Sequence, residues 1–232
     1  MRIDAHQRFT PEHPPEHFGP ILKRNRFVGS VCVVQPDDSH AIADHDFVLA
    51  VVVAGDPSHW RAHPKFRGVL WTGIHGSPEP GDTLDLLVHA AEVPGLIRFA
   101  GDHPDRKIAI DHLGCPKIAD GDPAAWVLAM ESLARFPHVY CKLSGLVRLA
   151  PAPWKAADLR PYVHHALRCF GPERLMFGSG WPDCLPEHAW KETLAAFTQA
   201  LGAASIPVRE ELLGGSAARF YSIQPPPEEA TI

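Results

Sequence analysis

Residues 174–184 read Arg-Leu-Met-Phe-Gly-Ser-Gly-Trp-Pro-Asp-Cys. The apolar run 175–177 stops at Gly178-Ser179-Gly180, the pattern of a buried strand emptying into a loop that lies close to something else. Working back along the chain, short apolar runs rich in β-branched residues recur at 139–143, 107–110, 83–88, 66–70, 47–53, 30–34 and 2–5, which with 175–177 makes eight. Helical periodicity separates several of them, most clearly over 124–134, 159–168 and 190–201. Runs apolar on both faces suit parallel strands covered by helices. Eight strand–helix units in order therefore predict an α/β fold, a (β/α)8 TIM-type barrel.

The barrel is expected to be distorted and somewhat trimmed. Only residues 35–46 separate the second run from the third, and 59–63 leave room for barely a turn or two of helix. Helix signals strengthen later: Asp122-Pro123 reads as an N-cap followed by proline at the first helical position, and Gly171-Pro172 closes the helix over 159–168. One domain over 1–223 is expected, with the Pro-rich, charged stretch 224–232 a disordered tail.

Composition narrows the partners. With 45% hydrophobic and 21% charged residues and a mean hydropathy of -0.10, the chain reads as a soluble globular protein. A formal charge of -5 offers no basic field for a nucleic acid, no run approaches a membrane span, and no signal peptide is legible, so the expected location is the cytoplasm. Five widely spaced cysteines without a CxxC pair fit neither a disulfide framework nor a structural zinc knuckle.

In such a barrel the chemistry gathers where strands end, so the residues just beyond each run matter most. The first ends Asp4-Ala-His6-Gln-Arg8, where strict alternation would turn His6 and Arg8 to the side of Asp4. The sixth ends Asp111-His112-Leu-Gly114, the seventh Lys142-Leu-Ser144-Gly145, and the eighth Gly178-Ser-Gly180-Trp181-Pro-Asp183.

Together with KFRG at 65–68, DHLGCPK at 111–117, CKLSGLV at 141–147 and GSGWP at 178–182, these ends resemble the amidohydrolase superfamily, in particular its sugar-lactonase branch, which includes hydrolases of L-fuconolactone and related lactones. The resemblance is collinear over nearly the whole chain. It implies a hydrolase of a small lactone or related cyclic ester, with water attacking at the C-terminal face of the barrel.

Against that family's pattern, three functional positions depart. Where the first strand usually ends His-x-His, this chain has His6-Gln-Arg8, and a guanidinium cannot serve as a metal ligand. Where GSDWP is usual, with the aspartate activating water, Gly180 stands. Where an arginine–histidine pair usually follows KFRG, the chain has Leu70-Trp71. His6 is the candidate metal ligand, but a divalent ion such as zinc is disfavoured by Arg8 and Gly180.

The candidate catalytic groups are His112 as acid, base or electrophile and Asp183 as a displaced carboxylate base. Arg8, Lys142, Trp71, His75 and Trp181 are the candidate substrate contacts, Arg8 and Lys142 for an anionic or sugar-like small molecule. The competing reading is a catalytically impaired barrel that binds a small anionic ligand or a protein partner.

Overall fold

The computed structural model describes residues 1–74, 79–89, 92–121, 123–184 and 190–224. Strands β1 (Ile3–Arg8), β2 (Gly29–Val34), β3 (Val48–Ala54), β4 (Phe66–Thr72), β5 (Thr83–Leu87), β6 (Ile108–Ile110), β7 (Val139–Leu143) and β8 (Leu175–Phe177) form one sheet in chain order. Every neighbouring pair is parallel. The sheet nearly closes on itself: Gln7 bridges Trp181 in parallel, Arg8 N–H donates to Trp181 O at 2.9 Å, and Gly180 N–H donates to His6 O at 2.9 Å.

Helices flank this barrel unevenly. α1 (Pro15–Arg24) joins β1 to β2, α2 (Val93–Asp102) precedes β6, and α3 (Ala124–Leu133) precedes β7. α4 (Leu146–Leu149) and α5 (Ala156–Phe170) join β7 to β8, and α6 (Trp190–Leu201), α7 (Ile206–Glu210) and α8 (Ser216–Phe220) follow β8. The β2–β3 crossover holds only a 3-10 turn, His40–Asp44, and the β3–β4 crossover only turns. The trimming thus falls where the sequence is shortest. Gly171 closes α5 as expected, its N–H donating to Leu167 O, and Pro123 immediately precedes α3, whereas Asp122 lies outside the described residues.

Ile3, Ala5, Val31, Val52, Ala109 and Met176 come from strands all round the barrel yet share one buried cluster with Phe220 and Tyr221. Only the barrel interior can bring them together, so Phe220 and Tyr221 plug its floor. The basic residues at the strand starts secure that plug: Arg67 Nε donates to Tyr221 O, and Lys107 Nζ to Arg219 O and Phe220 O. A second cluster packs the strands' outer faces against the helices through Trp126, Phe170, Trp190 and Phe197. No helix among the described residues is long and apolar enough to cross a membrane. The stretch read as a tail lies, beyond Gln224, outside the described residues.

Candidate active site

At the C-terminal ends of the strands lies a cavity of about 740 Å³, lined by His6, Arg8, Asp111, His112, Arg148, Gly180 and Asp183 among others. Its floor is ionic. The Lys142 ammonium, delivered by β7 and fully buried, lies 2.6 Å from Asp85 Oδ2 of β5, 2.9 Å from Asp111 Oδ1 and 3.3 Å from His6 Nδ1 of β1. Tyr221 Oη, on the plug below, donates to the same Asp85 oxygen at 2.7 Å.

The charges on this floor are set by competing terms. Burial opposes an ionised Asp111, but the Lys142 ammonium and the two imidazoles override it and hold the carboxyl at about 2. Asp85, where burial wins over Lys142, is pushed up to about 6. Burial likewise works against the ammonium, but Asp111 and Asp85 outweigh it and keep Lys142 charged. For His6 and His112 burial dominates and lowers both below the ordinary imidazole value, so each is neutral near pH 7.

His112 is held by an unusual backbone. His112, Leu113, Gly114 and Cys115 all have φ between 50° and 68°, one turn of left-handed chain in which three of the four residues carry side chains. It persists because its neighbours fix it. Leu113 is buried, Trp126 Nε1 of α3 donates to Leu113 O at 2.7 Å, and Cys115 N–H donates to His112 O at 2.8 Å. Ser144, at the end of β7, accepts the His112 backbone N–H at 3.3 Å and lies 2.7 Å from His112 Nδ1. The two imidazoles meet edge to face, with ring centroids 4.7 Å apart.

The loop after β8 explains its own glycines. A Cβ on Gly178 would stand 2.8 Å from His6 Cβ and 3.1 Å from Ser144 Cβ, so the strand end can approach both only as glycine. At Gly180, φ is +69° and a Cβ would meet nothing within 4 Å. A side chain there would have open cavity before it. Asp4 anchors the loop, accepting from Ser179 N–H at 2.8 Å and from Trp190 Nε1 of α6 at 2.9 Å. The register shift between Asp4 and Gln7 breaks the expected alternation, so His6 reaches Lys142 and Asp111 while Asp4 faces α6.

Of the residues singled out in the sequence, His6, Arg8, His112 and Asp183 line the cavity, and Lys142 lies beneath it. Arg8 is turned to Asp183, donating from Nε at 3.1 Å and Nη2 at 2.6 Å. Its charge is thereby matched, and both Asp183 oxygens are engaged. Trp181 is not on the cavity wall: it is buried against Phe9 and Phe18, because Arg8 N–H binds its carbonyl and draws it into the barrel seam. Trp71 is also elsewhere. Alternation along β4 points Leu70 into the cavity and Trp71 into an outer groove beside Arg61 and Asp82. His75 lies outside the described residues. The sequence reading missed Asp85, Ser144 and Tyr221; the available signal for Asp85 was an acid in the middle of an apolar strand, Thr-Leu-Asp-Leu-Leu.

His6, Asp111 and His112 have ligand atoms within 4.8 Å of one another, which invites a metal. The donors do not fit one as they stand. Among the described residues Asp111 Oδ2 has no hydrogen-bond partner, but Asp111 Oδ1 and His6 Nδ1 already face the Lys142 ammonium, and a divalent ion drawing on them would sit against a fixed buried positive charge. The nearest source of that repulsion is Lys142, with Arg8, which the sequence suggested, adding to it from the rim.

A parallel eight-stranded barrel that pools imidazoles, carboxylates and an ammonium at its strand ends has the architecture of a barrel hydrolase. The family model described as amidohydrolase matches residues 21–223, and the chain belongs to that family of hydrolases. Among curated relatives, the L-fucono-1,5-lactonase of Burkholderia multivorans is 37% identical over 179 residues, covering 72% of this chain and 58% of the relative. The L-fucono-1,5-lactonase of Burkholderia ambifaria is 31% identical over 284 aligned positions, covering 97% of each chain. That alignment is longer than the 232 residues of this chain, so the relative carries stretches with no counterpart here. A crystal structure of an amidohydrolase from B. multivorans with bound zinc superposes with a TM-score of 0.82 at 27% identity, covering 97% of this chain and 100% of that one.

Proposed function

We propose that this protein hydrolyses a small lactone bearing an anionic or sugar-like substituent, through water attack assisted by His112 and His6. The observation that carries the reading is the pairing of two neutral imidazoles over the Lys142–Asp85–Asp111 floor, at the base of a cavity sized for a small molecule. Both rings spend Nδ1 on the protein, His6 on Lys142 and His112 on Ser144. That leaves Nε2 of each for substrate.

With Nδ1–H of His112 donated to Ser144 Oγ, Nε2 accepts a proton from the attacking water as its oxygen bonds to the lactone carbonyl carbon. His6 Nε2–H donates to the carbonyl oxygen as negative charge develops there. Collapse breaks the ring C–O bond, and the proton held on His112 passes to the leaving alkoxide. The product is the open hydroxy acid, and both histidines return to their starting state.

The mouth supports an anionic substituent. Arg8, Arg148 and Lys117 stand there against Asp120 and Asp183, and Arg148 approaches Asp183 only to 3.9 Å. The half-exposed Arg8–Asp183 pair is of the kind worth about 0–1 kcal/mol, so a substrate carboxylate can compete for Arg8. The lactonase names of the curated relatives support the ester class.

The test is hydrolysis of a panel of sugar and aromatic lactones, with and without a carboxylate, followed by a pH indicator. Turnover by the wild type that falls ~10²–10⁴-fold in kcat with His112→Ala is expected. Turnover untouched by His112→Ala removes that residue from the chemistry. Tight binding of carboxylated lactones without turnover by the wild type would favour the binding-only alternative, which the engagement of both Asp183 oxygens by Arg8 also suits.

A further inference from the structure

We infer that the Lys142 ammonium is the resident cation of this site, standing against His6 and Asp111 in competition with any divalent metal and fixing His6 as an Nε2–H donor. An ammonium has three N–H donors and no lone pair. Here three acceptors surround it, Asp85 Oδ2 at 2.6 Å, Asp111 Oδ1 at 2.9 Å and His6 Nδ1 at 3.3 Å. An ammonium can only donate in the third contact, although Asp111 Oδ2, 3.5 Å from the same Nδ1, offers a competing acceptor for a proton there. With the nearer contact made, Lys142 donates, His6 Nδ1 accepts, and the single proton of the neutral imidazole is left on Nε2.

Both routes for a metal onto His6 work against this arrangement. Coordination at Nδ1 needs the lone pair that the ammonium uses. Coordination at Nε2 needs the proton moved to Nδ1, which gives up the contact with the Lys142 ammonium at 3.3 Å for a longer one to Asp111 Oδ2 at 3.5 Å. Asp111 pairs with the ammonium through Oδ1 alone, but a divalent ion added to the ammonium would leave two buried carboxylates facing three positive charges. The ammonium and a metal are alternatives at one place. Lys142 is accordingly a positioning residue: it touches no substrate, but it decides which nitrogen of His6 carries the hydrogen. The inference rests on the proposed hydrolysis only for the use made of that hydrogen.

Two measurements on the unaltered protein decide it without any substrate, so failure here and failure of the lactonase reading are distinguishable. Wild type equilibrated with excess zinc and dialysed is expected to retain far less than one zinc per chain; one zinc per chain would overturn the inference. Nitrogen-15 spectra of histidine-labelled wild type are expected to show His6 with Nδ1 bare and Nε2 protonated. A protonated Nδ1 would overturn it equally. Lys142→Ala vacates the cation position and is expected to gain a zinc equivalent held through His6, Asp111 and His112, read as bound metal and as a zinc-dependent rise in Tm. A folded Lys142→Ala that takes up no zinc would count against the exchange, and if the variant does not fold, the two wild-type measurements stand alone.

Discussion

Asp111 and Asp183 show how far a residue's role depends on its partners. Both are aspartates just beyond a strand end, but Asp111 is buried with its charge locked onto Lys142, whereas Asp183 is a third exposed and paired at the rim with Arg8. Asp183→Asn is therefore expected to leave kcat for an uncharged lactone nearly unchanged. By freeing Arg8, it should lower KM for a carboxylated lactone by up to ~5-fold, the value of one rim ion pair. Steady-state kinetics on the two substrates checks this, and loss of kcat on both would restore Asp183 as the base. Lys142→Met should instead cost about 3–5 kcal/mol of stability in urea unfolding, because two buried carboxylates lose their cation. The sequence could not separate these cases. Lys142 stands between an apolar strand and a Ser-Gly turn, equally consistent with surface and site, and its partner Asp85 lies 57 residues away while Tyr221 lies 136 beyond Asp85. The motif positions His6 and His112 were legible, because strand ends carry chemistry in any barrel, but the ammonium that organises them became apparent only once the ends of β1, β5, β6 and β7 were gathered around it.

Among the elements, strands were easier to read than helices. All eight strands appear within a few residues of the apolar runs, because a strand covered on both faces must be apolar throughout. α1 and α2 were hidden by Pro15, Gly19 and Pro20 and by Pro94 and Gly95, residues that read as loop. They are helical because Pro15 and Pro94 occupy the first turn, where no N–H is needed, and because Phe18 and Leu22, or Leu96 and Phe99, present one buried face. The left-handed turn 112–115 had only Gly114 as a sequence signal, since its other three residues do not favour that conformation. Its support comes from a different element, α3. Trp126→Phe removes the donor to Leu113 O and is expected to cost about 1–3 kcal/mol, the carbonyl being left buried without that partner. If Trp126 positions His112, kcat should fall while KM changes little. Unchanged kcat in a destabilised variant would confine Trp126 to folding.

Across the whole molecule, acid should silence the site before it unfolds the barrel. Burial lowers His6, His63 and His112, so below about pH 6.5 the unfolded chain takes up their protons first and folding weakens. Burial raises Asp4, Asp82 and Asp85, the last to about 6, so between about pH 6 and 4 the folded chain takes up those protons first and folding strengthens. The two sets oppose one another over the same range. Below about pH 4 the balance ends: Asp111, held at about 2, keeps its charge in the fold while the unfolded carboxyl is protonated, and stability falls steeply toward pH 2. Catalysis has no such compensation. It needs a bare nitrogen on His112, so kcat/KM should drop as that imidazole protonates, at a pH below the ordinary value of about 6.5 because burial disfavours its charged form. Measured side by side, the pH profile of kcat/KM should lose its acid limb reversibly while the urea midpoint is still nearly flat. Parallel loss of both would mean that the acid limb reports unfolding of the barrel and not the titration of His112.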